Sequence, residues 1–595
     1  MKLLLTAINS KYIHSNLAVY SLKAYCAEHA KQRGLGNLGD TVEIAEFTIN
    51  QYTQDIYREI YKKHPDIVAF SCYIWNIDYV YEVCRELKKI RPDLIIWLGG
   101  PEVTYDSQKV LREHPYIEGV MIGEGEETFL DVVRFYNHSG NEQKGIEIIS
   151  SLNEVAGISY RKEDGQVVTT AMRPLLDMDE LPFIYDDMRK FENKIIYYES
   201  SRGCPYGCSY CLSSVEKSVR FRSIDKVEQE LGFFLSHKVA QVKFVDRTFN
   251  CSHERTKELL KFLHEHDNGI TNFHFEIAAD LLTDEEIDLM EDMRPGLIQL
   301  EIGVQSTNTD TIEEIDRVMD FGRLSEVVNR INSFENIHQH LDLIAGLPFE
   351  NYESFTRSFD DVYRLCPEQL QLGFLKVLKG SKMARKAGDY GIEFTAKAPY
   401  EVLFTNWISY DDVLAIKNVE EVVELYYNSG QYAYTMKELL GEFDGPFAMY
   451  KALAHYYESN GLFDVKHSRI TRYTILMDFI RSLKNVDTKK YEQILLFDLY
   501  LRENLKTCPS FADDCAEYKK SFRKLYTSFS PNKATHIQAF DCNVVELCGA
   551  EAEIIDIGSV KAEDEFLSST KKELIMFDYA QRNPLNYAAK AYILK

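Results

Sequence analysis

The sequence predicts an α/β protein in three parts: a doubly wound parallel sheet, then a partial (β/α)6 TIM-type barrel, then a mainly helical C-terminal domain. Three observations predict it. Short β-branched runs alternate with amphipathic helices through residue 385 or so, and the alternation breaks beyond that point. The chain is 595 residues long, whereas single hydrophobic cores stop growing at roughly 250–300 residues.

The first block, residues 1–170 with a linker to about 190, reads "KLLLTAI", "VEIAEFTI", "DIVAFSCY", "LIIWLGG" and "GVMIGEGE". Amphipathic helices such as "YVYEVCRELKKI" separate these runs. Apolar strands joined by helices make a parallel sheet covered on both faces. The second block, residues 191–385, carries six further strand-and-helix units, from "NKIIYYES" through "VKFVDRTFN", "NFHFEIAAD", "LIQLEIGVQS" and "HLDLIAGLP" to "LQLGFLKVL". Thr283 and Glu286 ahead of "IDLMEDM" have the spacing of a capping box. The third block, residues 386–595, is mainly helical and ends in a β-hairpin around Asn583-Pro584. Covering the barrel mouth and shaping a pocket is the expected role of this region.

Composition narrows the partners. Lys and Arg total 68 against 93 Asp and Glu, a net charge of −25, which argues against a broad electrostatic footprint for nucleic acid or an anionic membrane. The first apolar run is only about five residues, too short for a secretory signal, and no stretch approaches the roughly 18 apolar residues of a span. A cytoplasmic location is expected, where the twelve cysteines serve as buried thiols or metal ligands and not as disulfides.

Three of those cysteines, Cys204, Cys208 and Cys211, share the loop "SSRGCPYGCSYCLSS". Their C-x3-C-x2-C spacing lets three thiolates converge on one iron–sulfur cluster, with Gly203 and Gly207 freeing the backbone to wrap it. Three thiolates leave one iron of a [4Fe–4S] cube without a protein ligand, open to a substrate. Three buried thiols and a zinc site are the rivals. Zinc normally takes a fourth Cys or His at compatible spacing, and none flanks this loop.

"RGCPYGCSYC" resembles the radical S-adenosylmethionine (SAM) signature, with Tyr210 in the aromatic place. The resemblance implies that SAM chelates the open iron and is cleaved to a 5′-deoxyadenosyl radical. The strands "FEIAAD", "EIGVQS" and "LDLIAGLP" and the "IDR" segment are similar to those of oxygen-independent coproporphyrinogen oxidases. By that likeness Glu276, Gln305, Arg317 and Asp342 surround SAM, and the twelve-residue gap between Gln305 and Arg317 is reproduced. "VDRTFN" replaces the usual Gly-Gly-Glu after strand 2, and Asp246 takes the place of that glutamate toward the SAM amino group.

The first block resembles a cobalamin-binding domain of flavodoxin-like fold, with "SCYIWN", "GGPEV" and "GEGEET" at the strand ends where open α/β sheets bind ligands. The likeness assigns Ser71, Tyr73, Gly99, Gly100, Gly123 and Gly125 to cobalamin, with Tyr73 and Trp75 covering a face of the corrin. Taken together, residues 1–385 resemble cobalamin-dependent radical SAM proteins, and the helical third is similar to an accessory region found in one subgroup that shares the "KYIHSNLA" start. The implied cofactors are a [4Fe–4S] cluster, SAM and cobalamin. The implied activity is methyl transfer from methylcobalamin to an unactivated carbon after hydrogen abstraction. A cyclase, rearrangement or redox outcome is the alternative, and a corrinoid carrier or sensor is the alternative from another class. The partners implied are a small-molecule or peptide substrate and an electron donor such as flavodoxin or ferredoxin. The Asp-x-His-x-x-Gly loop that supplies a cobalt-binding histidine in many cobalamin domains is absent: Tyr12 precedes His14 and Leu17 follows it. A base-off cobalamin without a histidine ligand is therefore expected.

Overall fold

β1 (Leu3–Asn9) is buried along its whole length, as a strand covered on both faces must be. It pairs in parallel with β2 (Val42–Thr48) on one side and β3 (Ile67–Ser71) on the other. β4 (Ile95–Gly99) and β5 (Gly119–Met121) extend the parallel run. β6 (Ile158–Arg161) and β7 (Val167–Thr169) then add an antiparallel hairpin at the edge. The spatial order 2-1-3-4-5-6-7 reverses direction between β1 and β3, which opens a crevice beyond their carboxyl ends. Helices Leu17–Gln32 and Glu126–Asn137 bury Val19, Tyr25, Phe129 and Val132 against one face. Helices Thr53–Lys62 and Ile77–Ile90 bury Ile56, Ile60, Val80 and Val83 against the other. The computed structural model describes residues 1–137, 149, 151–505, 507–512, 518–529 and 534–595.

β8 (Ile196–Tyr198) starts the second sheet. β9 (Ser201–Arg202) and β10 (Arg220–Phe221) form a small antiparallel pair that brackets the cysteine loop. β11 (Gln241–Phe244), β12 (Asn272–Ile277), β13 (Ile298–Gln305), β14 (His338–Ala345) and β15 (Gln369–Phe374) follow β8 in unbroken spatial order, all parallel. One edge of this curved sheet is β8 and the other β15, so it is the open partial barrel that six sequential β–α units make. Phe273, Phe275, Leu300, Ile302, Leu341 and Leu343 face the surrounding helices. The alternate residues line the lumen. Thr283 and Glu286 form the capping box their spacing implies.

Beyond the barrel, β16 (Glu393–Phe394) and β17 (Val402–Phe404) pair, and Met383 donates its backbone N–H to Ser209 inside the cysteine loop (2.8 Å). Helices Tyr410–Val423, Pro446–Ser459, Arg469–Ser482 and Thr488–Arg502 form a bundle that shares one continuous apolar core with the barrel. The sequence expectation put this bundle over the barrel mouth. Its packing instead runs along the outer side: Phe447 meets Phe355 and Phe359 of helix Tyr352–Tyr363, and Asn428 hydrogen-bonds the backbone of Leu370 in β15. Residues 376–402 are the ones that pack against the cysteine loop.

The chain closes with β18 (Thr535–Phe540), β19 (Glu553–Ile555), β20 (Glu573–Arg582) and β21 (Ala589–Leu594). β20 and β21 are the expected hairpin, but they sit inside a four-stranded sheet of order 18-20-21-19, with β19 parallel to β21. β19 is only three residues long, and β18 carries no clear alternation of buried and exposed positions. No helix among the described residues is long and apolar enough to cross a membrane.

Candidate functional site

A cavity of about 690 Å³ lies between the carboxyl ends of the first sheet and the mouth of the second. All six positions assigned to cobalamin from the sequence, Ser71, Tyr73, Gly99, Gly100, Gly123 and Gly125, line it. Asn76 anchors the β3 turn by donating to the carbonyls of Ile8 (3.0 Å) and Ser71 (2.9 Å), which ties β1 to β3 at the switch point. Gly100 sits at φ +111, and a Cβ there would stand 2.5 Å from the Cys72 carbonyl, so only glycine closes this turn. Tyr73 and Trp75 stack with ring centroids 4.4 Å apart and planes 7° from parallel, and Trp75 stays 42% exposed. The stacked pair, Trp75 exposed and Tyr73 half-buried, gives the cavity a flat apolar wall.

The opposite wall comes from the second sheet. Tyr197, Glu199, Arg202, Gly203 and Arg247 all line the cavity, and of these only Gly203 carried a signal in the sequence. The Arg247 side chain has no hydrogen bond or ion pair among the described residues; only its backbone carbonyl accepts, from the Thr248 hydroxyl (2.8 Å). Glu199 is held above the ordinary carboxylate range by burial, against the pull of Arg202. Arg202 also bridges to Glu126 at the start of helix Glu126–Asn137 (2.6 Å), and Arg220 bridges to Glu124, so charged pairs join the two walls. His14 gives its Nδ1 to the Tyr197 hydroxyl (2.6 Å), and Lys194 pairs with Glu46 (2.7 Å).

The cysteine loop stands beside that wall. Gly203 has φ +95, and any side chain there would collide with the Ser218 carbonyl. Cys204 and Cys208 are buried and Cys211 half-buried. Cys211 donates its N–H to the Cys208 carbonyl (3.1 Å), folding the loop back on itself. Burial raises the Cys208 thiol, and the Arg317 guanidinium 3.9 Å away pulls it back toward the thiolate.

Arg317 is the centre of the expected SAM group. It donates to the Tyr210 hydroxyl (3.5 Å) and to the Gly303 carbonyl, and its Nε is buried without a partner. Gln305, at φ +73 after the β13–β14 register shift, has an equally orphaned Oε1. Buried polar atoms without partners are costly, and these two are what a ligand with donors and acceptors would satisfy. Glu276 is pushed up to about 7, by burial first. Asp342 lies on the lumen side of β14, its Oδ1 buried 3.0 Å from His340 Nε2.

Asp246, expected to reach the SAM amino group, is engaged by two serines at the start of the cysteine loop. It is 2% exposed and its two oxygens accept from the Ser200 N–H (2.8 Å), the Ser200 hydroxyl (2.6 Å) and the Ser201 hydroxyl (2.7 Å). A carboxylate so occupied positions the strand that enters the cysteine loop. The next residue, Arg247, is the one that reaches the cavity.

Three family models match the chain: the B12 binding domain over residues 4–133, the Radical SAM superfamily over 198–362, and one described as "Protein of unknown function (DUF4080)" over 388–548. The chain is 26% identical over 377 residues to the uncharacterized methyltransferase PH0819 of Pyrococcus horikoshii, covering 61% of this chain and 77% of that one. It is 26% identical over 359 residues to the cobalamin-dependent radical SAM methyltransferase TokK of Streptomyces tokunonensis, covering 56% of this chain but only about half (51%) of that one. In fold it is similar to the cobalamin-dependent S-adenosylmethionine radical enzyme OxsB, solved with aqua-cobalamin and S-adenosylmethionine bound. That match has a TM-score of 0.55 and 15% identity, over 83% of this chain and 78% of that one.

Proposed function

We propose that this chain, a B12-binding domain joined to a radical SAM domain, is a cobalamin-dependent radical SAM methyltransferase acting on an unactivated carbon of a small-molecule substrate. One observation carries the proposal: a single cavity with the switch-point glycines on one wall and the entrance to the three-cysteine loop on the other. The curated relatives named as methyltransferases support the same reaction class. The domain limits proposed are 1–170, 191–385 and 386–595, and the three family matches fall inside them.

The residues present fit the cofactors. Cys204, Cys208 and Cys211 would hold a [4Fe–4S] cluster, and Arg317, Gln305, Glu276, Asp342 and Tyr210 would hold SAM, the orphaned Arg317 Nε and Gln305 Oε1 gaining partners. Ser71, Tyr73, Gly99, Gly100, Gly123 and Gly125 would hold cobalamin, with the Tyr73–Trp75 stack against a face of the macrocycle. When bound, the cluster and SAM supply a hydrogen-abstracting radical and cobalamin supplies a transferable methyl group.

The chain's own groups set the conditions for that chemistry. Arg317 offers a fixed cation to a carboxylate beside the cysteine loop. Asp246 locks Ser200 and Ser201, and through them the direction in which the loop leaves β8. Arg247 presents an unpaired guanidinium to an anionic substrate or cofactor group in the cavity. An electron carrier of the flavodoxin or ferredoxin kind would reduce the cluster.

Anaerobic reconstitution with SAM, cobalamin and a chemical reductant tests the proposal. Formation of both 5′-deoxyadenosine and S-adenosylhomocysteine is expected. 5′-Deoxyadenosine alone would replace methylation by a cyclase or rearrangement, and neither product would leave a corrinoid carrier.

A further inference from the structure

Most TIM-type barrels fill their interior with Val, Ile and Leu. This one fills it with ionisable groups. Lys243 of β11, His274 and Glu276 of β12, Glu301 of β13, and His338, His340 and Asp342 of β14 occupy alternate positions on the lumen side. Register places Lys243 beside His274, Glu276 beside Glu301, and Glu301 beside His340.

Four polar atoms in this lumen are buried without a hydrogen-bond partner among the described residues: Nε2 of His274, His338 and His340, and Oδ1 of Asp342. His274 is 6% exposed and His340 7%. The orphaned atoms nonetheless lie close to opposite groups. His340 Nε2 is 3.0 Å from Asp342 Oδ1, and His274 Nε2 is 2.9 Å from Glu301 Oε2, yet neither approach is aligned for a hydrogen bond. A nitrogen and an oxygen at that separation are also far enough apart to be two ligands of one ion. With metal–ligand bonds of about 2.0–2.2 Å, neighbouring ligand atoms stand about 3 Å apart. Ligand atoms of Glu301, His340 and Asp342 all fall within 4.8 Å of one another.

Charge points the same way. Glu276, Glu301 and Asp342 put three carboxylates in the lumen, and the one lysine among them, Lys243, sits 3.0 Å from Glu301 Oε2. Its single charge stands against the two carboxylates of Glu301 and Asp342, with Glu276 pushed up to about 7 by burial.

We propose that His340, Asp342 and Glu301, with His274 beside them, form a binding site for a divalent first-row transition metal such as zinc or manganese. Imidazole and carboxylate together suit such ions, and the absence of thiolate separates this site from the cluster loop. The Glu301 and Asp342 side chains keep 21% and 19% exposure, so one side of the ion faces the open lumen, where water or a substrate oxygen would complete its coordination. The assignment takes Oδ1 of Asp342 for the ion, leaves Oδ2 for the SAM role proposed above, and does not depend on the radical reaction.

The test uses the full chain, purified anaerobically and freed of adventitious metal, then equilibrated with Zn(II) alone and counted by mass spectrometry after gel filtration. Mn(II) binding is followed in parallel by electron paramagnetic resonance. About one zinc per chain is expected, retained when Cys204, Cys208 and Cys211 are all replaced by Ala. His340→Ala and Glu301→Gln should each lower occupancy at least tenfold while cobalamin uptake stays normal. Should His340→Ala fail to fold, Glu301→Gln carries the same test with its size unchanged. Less than a tenth of an equivalent in the wild type, equal binding by a variant that folds, or loss of the zinc with the cysteines would each overturn the site.

Discussion

Arg317 and Gln305 show how a single side chain acquires a role from its surroundings. Each carries a buried polar atom with no protein partner, beside the loop that bears the cysteines. Arg317→Ala and Gln305→Ala should each weaken SAM binding about tenfold to a hundredfold, the worth of a charge-assisted or buried hydrogen bond. Iron content should stay near normal, and titration calorimetry of the reconstituted protein checks both points. Glu276 makes a second case. Burial raises it from 4.5 to about 7, so the folded chain holds a proton there that the unfolded chain releases. Its contribution to stability therefore falls as pH rises from about 4.5 to 7. Glu276→Gln should be the more stable protein above pH 7, by on the order of 2–3 kcal/mol, and indistinguishable from wild type below pH 4. Thermal melting of the cofactor-free chain across that range measures it. Equal melting temperatures at pH 8 would show that the carboxylate is solvated.

At the scale of elements, the strand-end turns and the cysteine loop separate packing from binding. Gly100→Ala places a Cβ 2.5 Å from the Cys72 carbonyl at φ +111, so the turn must move and the first sheet should lose stability along with cobalamin uptake. At neighbouring Gly99 an added Cβ meets nothing closer than Met121 Cβ at 3.7 Å. Gly99→Ala should therefore leave the melting temperature unchanged and reduce only cobalamin affinity, because the methyl group enters the cavity that Gly99 lines. In the loop, replacing Cys204, Cys208 or Cys211 by Ala should abolish the cluster and its visible absorbance. The corrin domain should still bind its cofactor, since its two apolar cores are built without this loop. Retention of a four-iron cluster in all three variants would exclude these ligands.

The whole molecule decides how the corrin is held. His14, the histidine nearest the first strand end, has its Nδ1 on the Tyr197 hydroxyl of the second sheet, within the set of bridges that also includes Lys194–Glu46 and Arg202–Glu126. His14 also lines the cavity and the Tyr197 contact engages only its Nδ1, so the expectation of a cobalamin without a histidine ligand rests on the missing Asp-x-His-x-x-Gly pattern. The cob(II)alamin form should show electron paramagnetic resonance lines without nitrogen triplets, unchanged in His14→Ala. Triplets that vanish in that variant would make His14 the cobalt ligand.

Cysteine spacing, the glycines at strand ends and the period of the apolar runs were legible along the chain because each depends on neighbours a few residues away. That was enough for the three-part α/β architecture, the cluster loop and the crevice at the β1–β3 switch. Partners across strands were not legible. The sequence placed Asp246 toward SAM, but the serines that occupy it sit 45 and 46 residues earlier and meet it only when β8 lies beside β11. Arg247 and Glu199 became cavity residues only when two sheets faced each other. The helical third settled against β15 and its neighbouring helix because its apolar faces found the barrel's outer core there. The His–carboxylate group of the lumen exists only because curvature brings alternate residues of three strands to one point. Local spacing determines which groups a chain offers; closure of the sheets determines which of them meet, since contact between distant residues costs chain entropy that only the packed core repays.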